Sequence, residues 1–496
     1  MSEPPLLRLR SAAGRWTVAA AVLGSGAVFV ESTVVSVALP AMGRDLDLGV
    51  AGLQWIVNGY LITLSALLLL GGALGDARGQ KRVFEAGLIA FAAGSLLCAM
   101  APSFVLLVVA RLVQGAAGAL LVPTSLAFLD TAFAEEDRGE AIGRWAGWSA
   151  GSTAVGPLLG GALVDLVSWR WVFAAVAPLP LLALWISRSR LPIPARRRRE
   201  RVDYTGALLI SAGLGGVVWA LIEGPKRGAT VAVVGAGALG SVLVAGFFWL
   251  ESRRENPLLP LGIFRSRQFS GANATTLLVY AALGALFFFL MIHLQGVLGY
   301  NGLAAGASLL PINALMLALS GRAGRWGQRW GPRVPITAGA LLAAAGLALF
   351  SRVGPGSGYL IDVLPATIVF GCGLGVLVAP LTSSVLAVVE EGRTGVASAV
   401  NNATARLAGL LATAAIPLAT GIGGLDDTTG PAFAAAFRQA MWISAALCAA
   451  GGGVAWLTVT ECGPVSAAPH PSPTHGCAGR RSGATAGEPL GADTRR

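Results

Sequence analysis

Glu31 and Arg111 are the residues whose chemistry fits least with their surroundings. Each lies well inside a long apolar run, near 16–38 and 104–129. An ionisable side chain in hydrocarbon costs at least ~2.5–3.5 kcal/mol, so each needs a reason. If the first run leads outward and the fourth inward, both residues sit seven positions from the outer end. At 1.5 Å per residue that is roughly 10 Å of depth. Two readings stand. A fixed ion pair would pin two helices together. A carboxylate that takes up and releases a proton, tuned by Arg111, would instead couple charge to movement. Burial and a neighbouring guanidinium act on a carboxyl in opposite senses, so a modest rearrangement is enough to load or unload it. Protonation would also loosen the hold on Arg111.

A second polar set points to a cavity. Gln54 and Asn58 are four apart and share a helix face, with Trp55 and Tyr60 close by. Gln114 follows Arg111, and Asn401, Asn402 and Arg406 interrupt a small-residue run near 395–422. Arg406 would sit ~16 Å from the inner end, with no acid in its own run, which implies a water-filled cavity or an anionic partner. Gln54, Asn58, Tyr60, Gln114, Asn402 and Arg406 are the expected substrate cavity. Interhelical hydrogen bonds and an interfacial aromatic belt are the alternative for the residues on the second and fourth runs. His293, near the end of its run, is expected at the membrane interface. With no nucleophile–base set and no metal-ligand spacing among the cysteines, neither catalytic nor metal-binding residues are expected.

Two further patterns concern movement. Gly147, Gly151, Gly156, Pro157, Gly160 and Gly161 lie in one run. Gly156 and Gly160 form a G-x-x-x-G that lets another helix approach closely, and Pro157 removes a backbone hydrogen bond and kinks the run. GGALGDARGQKR (71–82) after the second run is echoed by GRAGRWGQRWGPR (321–333) after the tenth, with Gln328 where the first copy has Asp76. Repeated halves with a central site are a common transporter plan.

The elements that must position these residues follow from composition. Of 496 residues 55% are apolar and only 12% charged, against ~25% charged in soluble proteins. Fourteen apolar runs are read between 16 and 459, and fourteen spans of about 20 residues match the apolar content. With the N-terminus inside, the inner segments hold 28 of the 36 basic residues and the outer segments six. That asymmetry supports both termini in the cytoplasm. Arg8, Arg10 and Arg15 lead straight into a full-length run, so no cleaved leader is expected. The layout is a six-helix bundle over 1–187, an Arg-rich linker at 188–204, two inserted helices at 205–250, a second six-helix bundle over 251–460 and a disordered cytoplasmic tail at 461–496. The basic residues follow the loops and form no single patch, so nucleic acid is not an expected partner.

These residues resemble the major facilitator superfamily, specifically its fourteen-span drug:proton antiporter branch. The superfamily's loop motif is similar to Gly72, Leu74, Asp76, Gly79, Lys81 and Arg82, departing at Ala77 and Gln80. The fourth-span R-x-x-Q-G resembles Arg111, Gln114 and Gly115, and the antiporter motif G-P-x-x-G-G resembles Gly156, Pro157, Gly160 and Gly161. Glu31 stands where the branch usually has Asp. The resemblance implies an all-α polytopic membrane protein of the major facilitator fold, with two six-helix bundles, two inserted helices and fourteen transmembrane helices. It implies that Asp76 latches the halves on the cytoplasmic face and that Glu31 and Arg111 couple protons. The expected function is export of a lipophilic small molecule from the cell in exchange for protons. The proton-motive force takes the place of a cofactor, and the protein would act as a monomer among membrane lipids. A proton-coupled symporter or exchanger of a nutrient with the same fold is the alternative. An ATP-driven pump is disfavoured because Lys81 and Lys226 are each followed by Arg, not by the Ser or Thr of a phosphate loop.

Overall fold

The computed structural model describes residues 7–191, 202–254, 257–387 and 394–460. The tail 461–496, with Cys462 and Cys477, and the Arg196–Arg199 run of the linker lie outside the described residues. The described chain is helical nearly throughout. Twelve segments are long and apolar enough to cross a membrane, and Glu135–Leu166 and Thr394–Ala419 are two further long helices. This is a multi-pass membrane protein. Helices dominate because hydrocarbon offers backbone groups no partner, and a helix satisfies them within itself.

The first half comprises α1 (Ala12–Asp45), α2 (Val50–Arg78), α3 (Gln80–Ala99), α4 (Phe104–Ala132), α5 (Glu135–Leu166), α6 (Arg170–Val176) and α7 (Pro178–Arg190). Pro178 opens α7 and separates it from α6, so the two together form one broken 21-residue segment, Arg170–Arg190. An inserted pair follows, α8 (Tyr204–Arg227) and α9 (Val231–Glu251). The second half holds α10 (Arg267–Gly296), α11 (Gly302–Ala307), α12 (Leu310–Trp330), α13 (Arg333–Phe350), α14 (Leu364–Leu386), α15 (Thr394–Ala419) and α16 (Pro431–Thr458).

The halves repeat each other's packing. α1 lies on α5 as α10 lies on α15, and α2 and α3 lie on α4 as α12 and α13 lie on α14. α1 meets α7 as α10 meets α16. The repeated loops form matching turns. Gly79 (φ +98°) ends α2 and Gly331 (φ +79°) ends α12, each letting the next helix start at once. The inserted pair packs mainly on itself, and α8 rests on α2 and α15. Gly213, Gly216 and Gly240 bring α8 and α9 into backbone contact: a Cβ on Gly240 would stand 2.7 Å from the Gly213 carbonyl oxygen. Below, the near end of the bundle is the one carrying the start of α1, and the far end is the opposite one.

Candidate functional site

Glu31 on α1 and Arg111 on α4 meet. Arg111 Nη1 donates to Glu31 Oε1 at 2.7 Å, with the side chains 2% and 0% exposed. Arg111 also donates from Nε to the Ile56 carbonyl at 3.0 Å and from Nη1 to Gln114 Oε1 at 2.7 Å. Gln114 Nε2 in turn donates to Ser95 Oγ at 2.9 Å. The guanidinium lies 4.3 Å from the centre of the Tyr60 ring, a cation–π contact that helps replace its lost hydration. The arrangement leaves one valence open: Glu31 Oε2 is buried with no hydrogen-bond partner. A proton on that oxygen would disturb none of the bonds Arg111 makes elsewhere.

Above the pair the halves close on each other. Gln54 Nε2 donates to the Thr413 carbonyl at 2.8 Å, and Thr413 Oγ1 donates to Asn58 Oδ1 at 2.6 Å. Gln295 Nε2 reaches the Val37 carbonyl at 2.9 Å. Asp165 at the end of α5 accepts from the backbone N–H groups of Gly302 and Leu303 at 2.9 and 2.8 Å. The inserted pair joins this end through Trp55 Nε1 on Glu223 (3.1 Å) and Lys226 on Asp426 (2.9 Å). Among the described residues, the side-chain hydrogen bonds linking the first half to the second lie at this far end.

Towards the near end, among the described residues, no side-chain hydrogen bond joins the halves. A Cβ on Gly139, Gly143, Gly147 or Gly151 of α5, or on Gly321 or Gly324 of α12, would meet nothing within 4 Å. Trp148 is 68% and Leu317 78% exposed. Between the halves the Arg406 guanidinium sits 5.1 Å from the Phe29 ring centre, with half-buried Asn402 one turn away on α15. Among the described residues, no three His, Cys, Asp or Glu side chains gather as metal ligands.

The sequence-predicted cavity residues therefore divide. Asn402 and Arg406 are half-buried on α15, with Arg406 against Phe29 of the first half. Gln54, Asn58, Tyr60 and Gln114 are at most 1% exposed and line no open cavity in this conformation. Gln54 and Asn58 are spent on Thr413, while Tyr60 and Gln114 surround Arg111. His293 corrects the expectation of an interfacial residue. It is fully buried, stacks on Phe437 with ring centres 3.9 Å apart and places Nε2 3.1 Å from the Val353 carbonyl oxygen. Thr413, Asp165 and Gln295 were not singled out by sequence. An acid eight residues after Pro157 at a helix end was a signal for Asp165; nothing marked the other two.

A family model described as Major Facilitator Superfamily matches residues 21–413. The chain belongs to the major facilitator superfamily. The puromycin resistance protein of Streptomyces alboniger is 37% identical over 392 residues, 78% of each chain. The tetracenomycin C resistance and export protein of Streptomyces glaucescens is 34% identical over 403 residues, covering 81% of this chain and 74% of its own length. The multidrug resistance protein Stp of Mycobacterium tuberculosis is 33% identical over 392 residues, covering 78% and 72%.

Within this superfamily member the antiporter-like motif works on two faces of α5. A Cβ on Gly156 would run into Thr33 of α1, and one on Gly160 would stand 2.8 Å from Val34. A Cβ on Gly161 would run into the Gly302 carbonyl, and one on Gly306 into the Pro157 carbonyl. The motif thus holds α5 on α1 and, across the halves, on α11, while Gly151 stays open. In the loop motif, a Cβ on Gly72 would stand 3.7 Å from Pro123, and Lys81 Nζ donates to the Leu191 carbonyl at 2.7 Å. Arg78 donates to the Tyr204 hydroxyl at 2.6 Å, tying the loop to the inserted pair. Arg82 lines a shallow apolar hollow beside Arg78, and Asp76 is exposed at the end of α2.

Proposed function

We propose that the protein exports a lipophilic small molecule across the cell membrane in exchange for protons, with Glu31 as the proton carrier. The observation that carries this reading is the buried Glu31–Arg111 pair with its single open carboxyl oxygen, placed beneath the closed far end. In this reading the chain crosses the membrane fourteen times with both termini in the cytoplasm. The far end is then external, and the conformation is open to the cytoplasm. The resistance and export proteins it resembles support a drug or antibiotic as cargo.

The cycle follows from charge. Facing outward, Glu31 takes a proton on Oε2, its attraction to Arg111 weakens, and α1 and α4 are free to shift. Facing inward, cargo entering the space between Phe29, Asn402 and Arg406 restores the arrangement in which Arg111 grips the carboxylate, and the proton leaves to the cytoplasm. Each proton brings ~2.3 kcal/mol per 100 mV of membrane potential, in addition to the pH gradient. The protein acts as a monomer surrounded by lipid.

The test is Glu31→Gln in proteoliposomes with an imposed pH gradient. The amide keeps an acceptor for Arg111 but carries no titrating proton. Wild-type protein is expected to drive cargo uphill with counterflowing protons, and the variant to insert normally yet lose uphill transport. Uphill export retained by Glu31→Gln would overturn the scheme, and cargo moving in the same direction as protons would favour a symporter.

A further inference from the structure

The inserted pair ends in a charged knot that the transport cycle leaves unused. Asp203 precedes α8 as its cap, Glu251 closes α9, and Arg254 lies three residues on. The two acids are only 5% and 2% exposed. One oxygen of each is well served. Asp203 Oδ1 accepts from the Gly206 backbone N–H at 2.8 Å and meets Arg254 Nη1 at 2.5 Å, and Glu251 Oε2 accepts from the Leu259 backbone N–H at 2.9 Å.

The other two oxygens, Asp203 Oδ2 and Glu251 Oε1, are buried without a hydrogen-bond partner. They converge on one spot. A Cβ on Gly206 would stand 2.6 Å from the first and 2.9 Å from the second, so only a glycine there leaves room for both. Two bare carboxylate oxygens packed together away from water repel, whereas one proton between them makes a short charge-assisted hydrogen bond. The same proton would balance the local charge, since among the described residues the two carboxylates have one ion-paired guanidinium, that of Arg254. Among the described residues, two nearby cations are engaged elsewhere: Arg78 of α2 on the Tyr204 hydroxyl and Arg253 over the Trp249 ring.

We propose that Asp203 and Glu251 hold one proton between Oδ2 and Oε1, forming a proton-binding site at the near end of the inserted helices, separate from Glu31. The proton comes from near-end solvent and returns there; only an O–H bond forms or breaks. The site joins the start of α8, the end of α9 and the residues that lead into α10. Near-side pH therefore acts on how the inserted pair is tied to the second half. The folded chain holds a proton that the unfolded chain releases, so this contribution to stability is lost as pH rises.

The test is infrared difference spectroscopy of the full-length protein in lipid nanodiscs, in a Glu31→Gln background that silences the transport carboxyl. A protonated-carboxyl C=O band is expected at neutral pH, shifting in D2O and disappearing as pH is raised. Glu251→Gln should abolish the band, and so should Asp203→Asn, which serves if the first variant folds poorly. Thermal unfolding gives an independent readout. The midpoint of the parent should fall over the pH interval in which the band is lost. It should stay flat there in Glu251→Gln, whose amide donates the hydrogen bond permanently. No band at neutral pH, a band surviving both substitutions, or stabilisation by sodium, potassium or magnesium ions in place of the proton would overturn the proposal.

Discussion

Arg111 makes three polar contacts and two ring contacts while almost fully buried, and its value to the fold depends on Glu31 staying opposite. Removing one member of a buried pair leaves an uncompensated charge, at a cost of ~3–5 kcal/mol. Arg111→Ala is therefore expected to lower the unfolding midpoint severely. Combining it with Glu31→Gln should recover much of the loss, because no bare charge is then left behind. Thermal unfolding of the two single variants and the double variant in detergent measures that coupling; additive losses would mean the pair is energetically idle. The shared depth of Glu31 and Arg111 was legible because each can be counted from the end of its own apolar run; that the two side chains touch was not, since depth does not say which faces of α1 and α4 meet. The face shared by Gln54 and Asn58 was legible too, but not its destination. Thr413 is an ordinary hydroxyl in an alanine-rich helix, and no one-dimensional spacing says which side of α15 meets α2. His293 was misread because nearness to a span end says nothing about a following loop that folds back over it, as the segment at Val353 does.

At the scale of elements, apolar runs located the helices but trimmed their ends. The first run reads as 16–38 while α1 continues from Ala12 to Asp45. A helix carries its own hydrogen bonds beyond the hydrocarbon, so polarity alone does not stop it. What stops it is backbone chemistry, and the turn after α2 shows this. Gly79 has φ +98° with open space around a would-be Cβ, so a side chain there meets a conformational penalty and no clash. Gly79→Ala is expected to destabilise by ~1–3 kcal/mol. Gly139 on α5 is the control: it is helical and equally uncrowded. There alanine is expected to stabilise by ~0.8–1.0 kcal/mol. Opposite shifts in the unfolding midpoints of these two variants would separate backbone strain from packing.

For the whole molecule, the repeated loop betrayed two similar halves, and the packing of α1 to α5 and of α10 to α15 follows the same plan. Which end of the bundle is shut was not legible, because closure depends on contacts between residues more than a hundred positions apart. The seal rests on bare backbone: Gly161 lies against the Gly302 carbonyl and Gly306 against the Pro157 carbonyl, with Asp165 capping the start of α11 beside them. Such a contact tolerates no side chain, since the helices must part by roughly the depth of whatever is added. Gly161→Leu is therefore expected to hold the far end open without disturbing the ion pair, which lies on α1 and α4. In a cysteine-free background, Gln54→Cys should react slowly with a membrane-impermeant thiol reagent from the far side and severalfold faster once Gly161→Leu is added. Gly143→Cys, towards the near end on the face of α5 that it shares with Gly161, should change the other way, losing reactivity from the near side as that end closes. If both sites keep their original rates, the glycine contact is packing alone, and the barrier to opening lies in the Gln54–Thr413–Asn58 bonds.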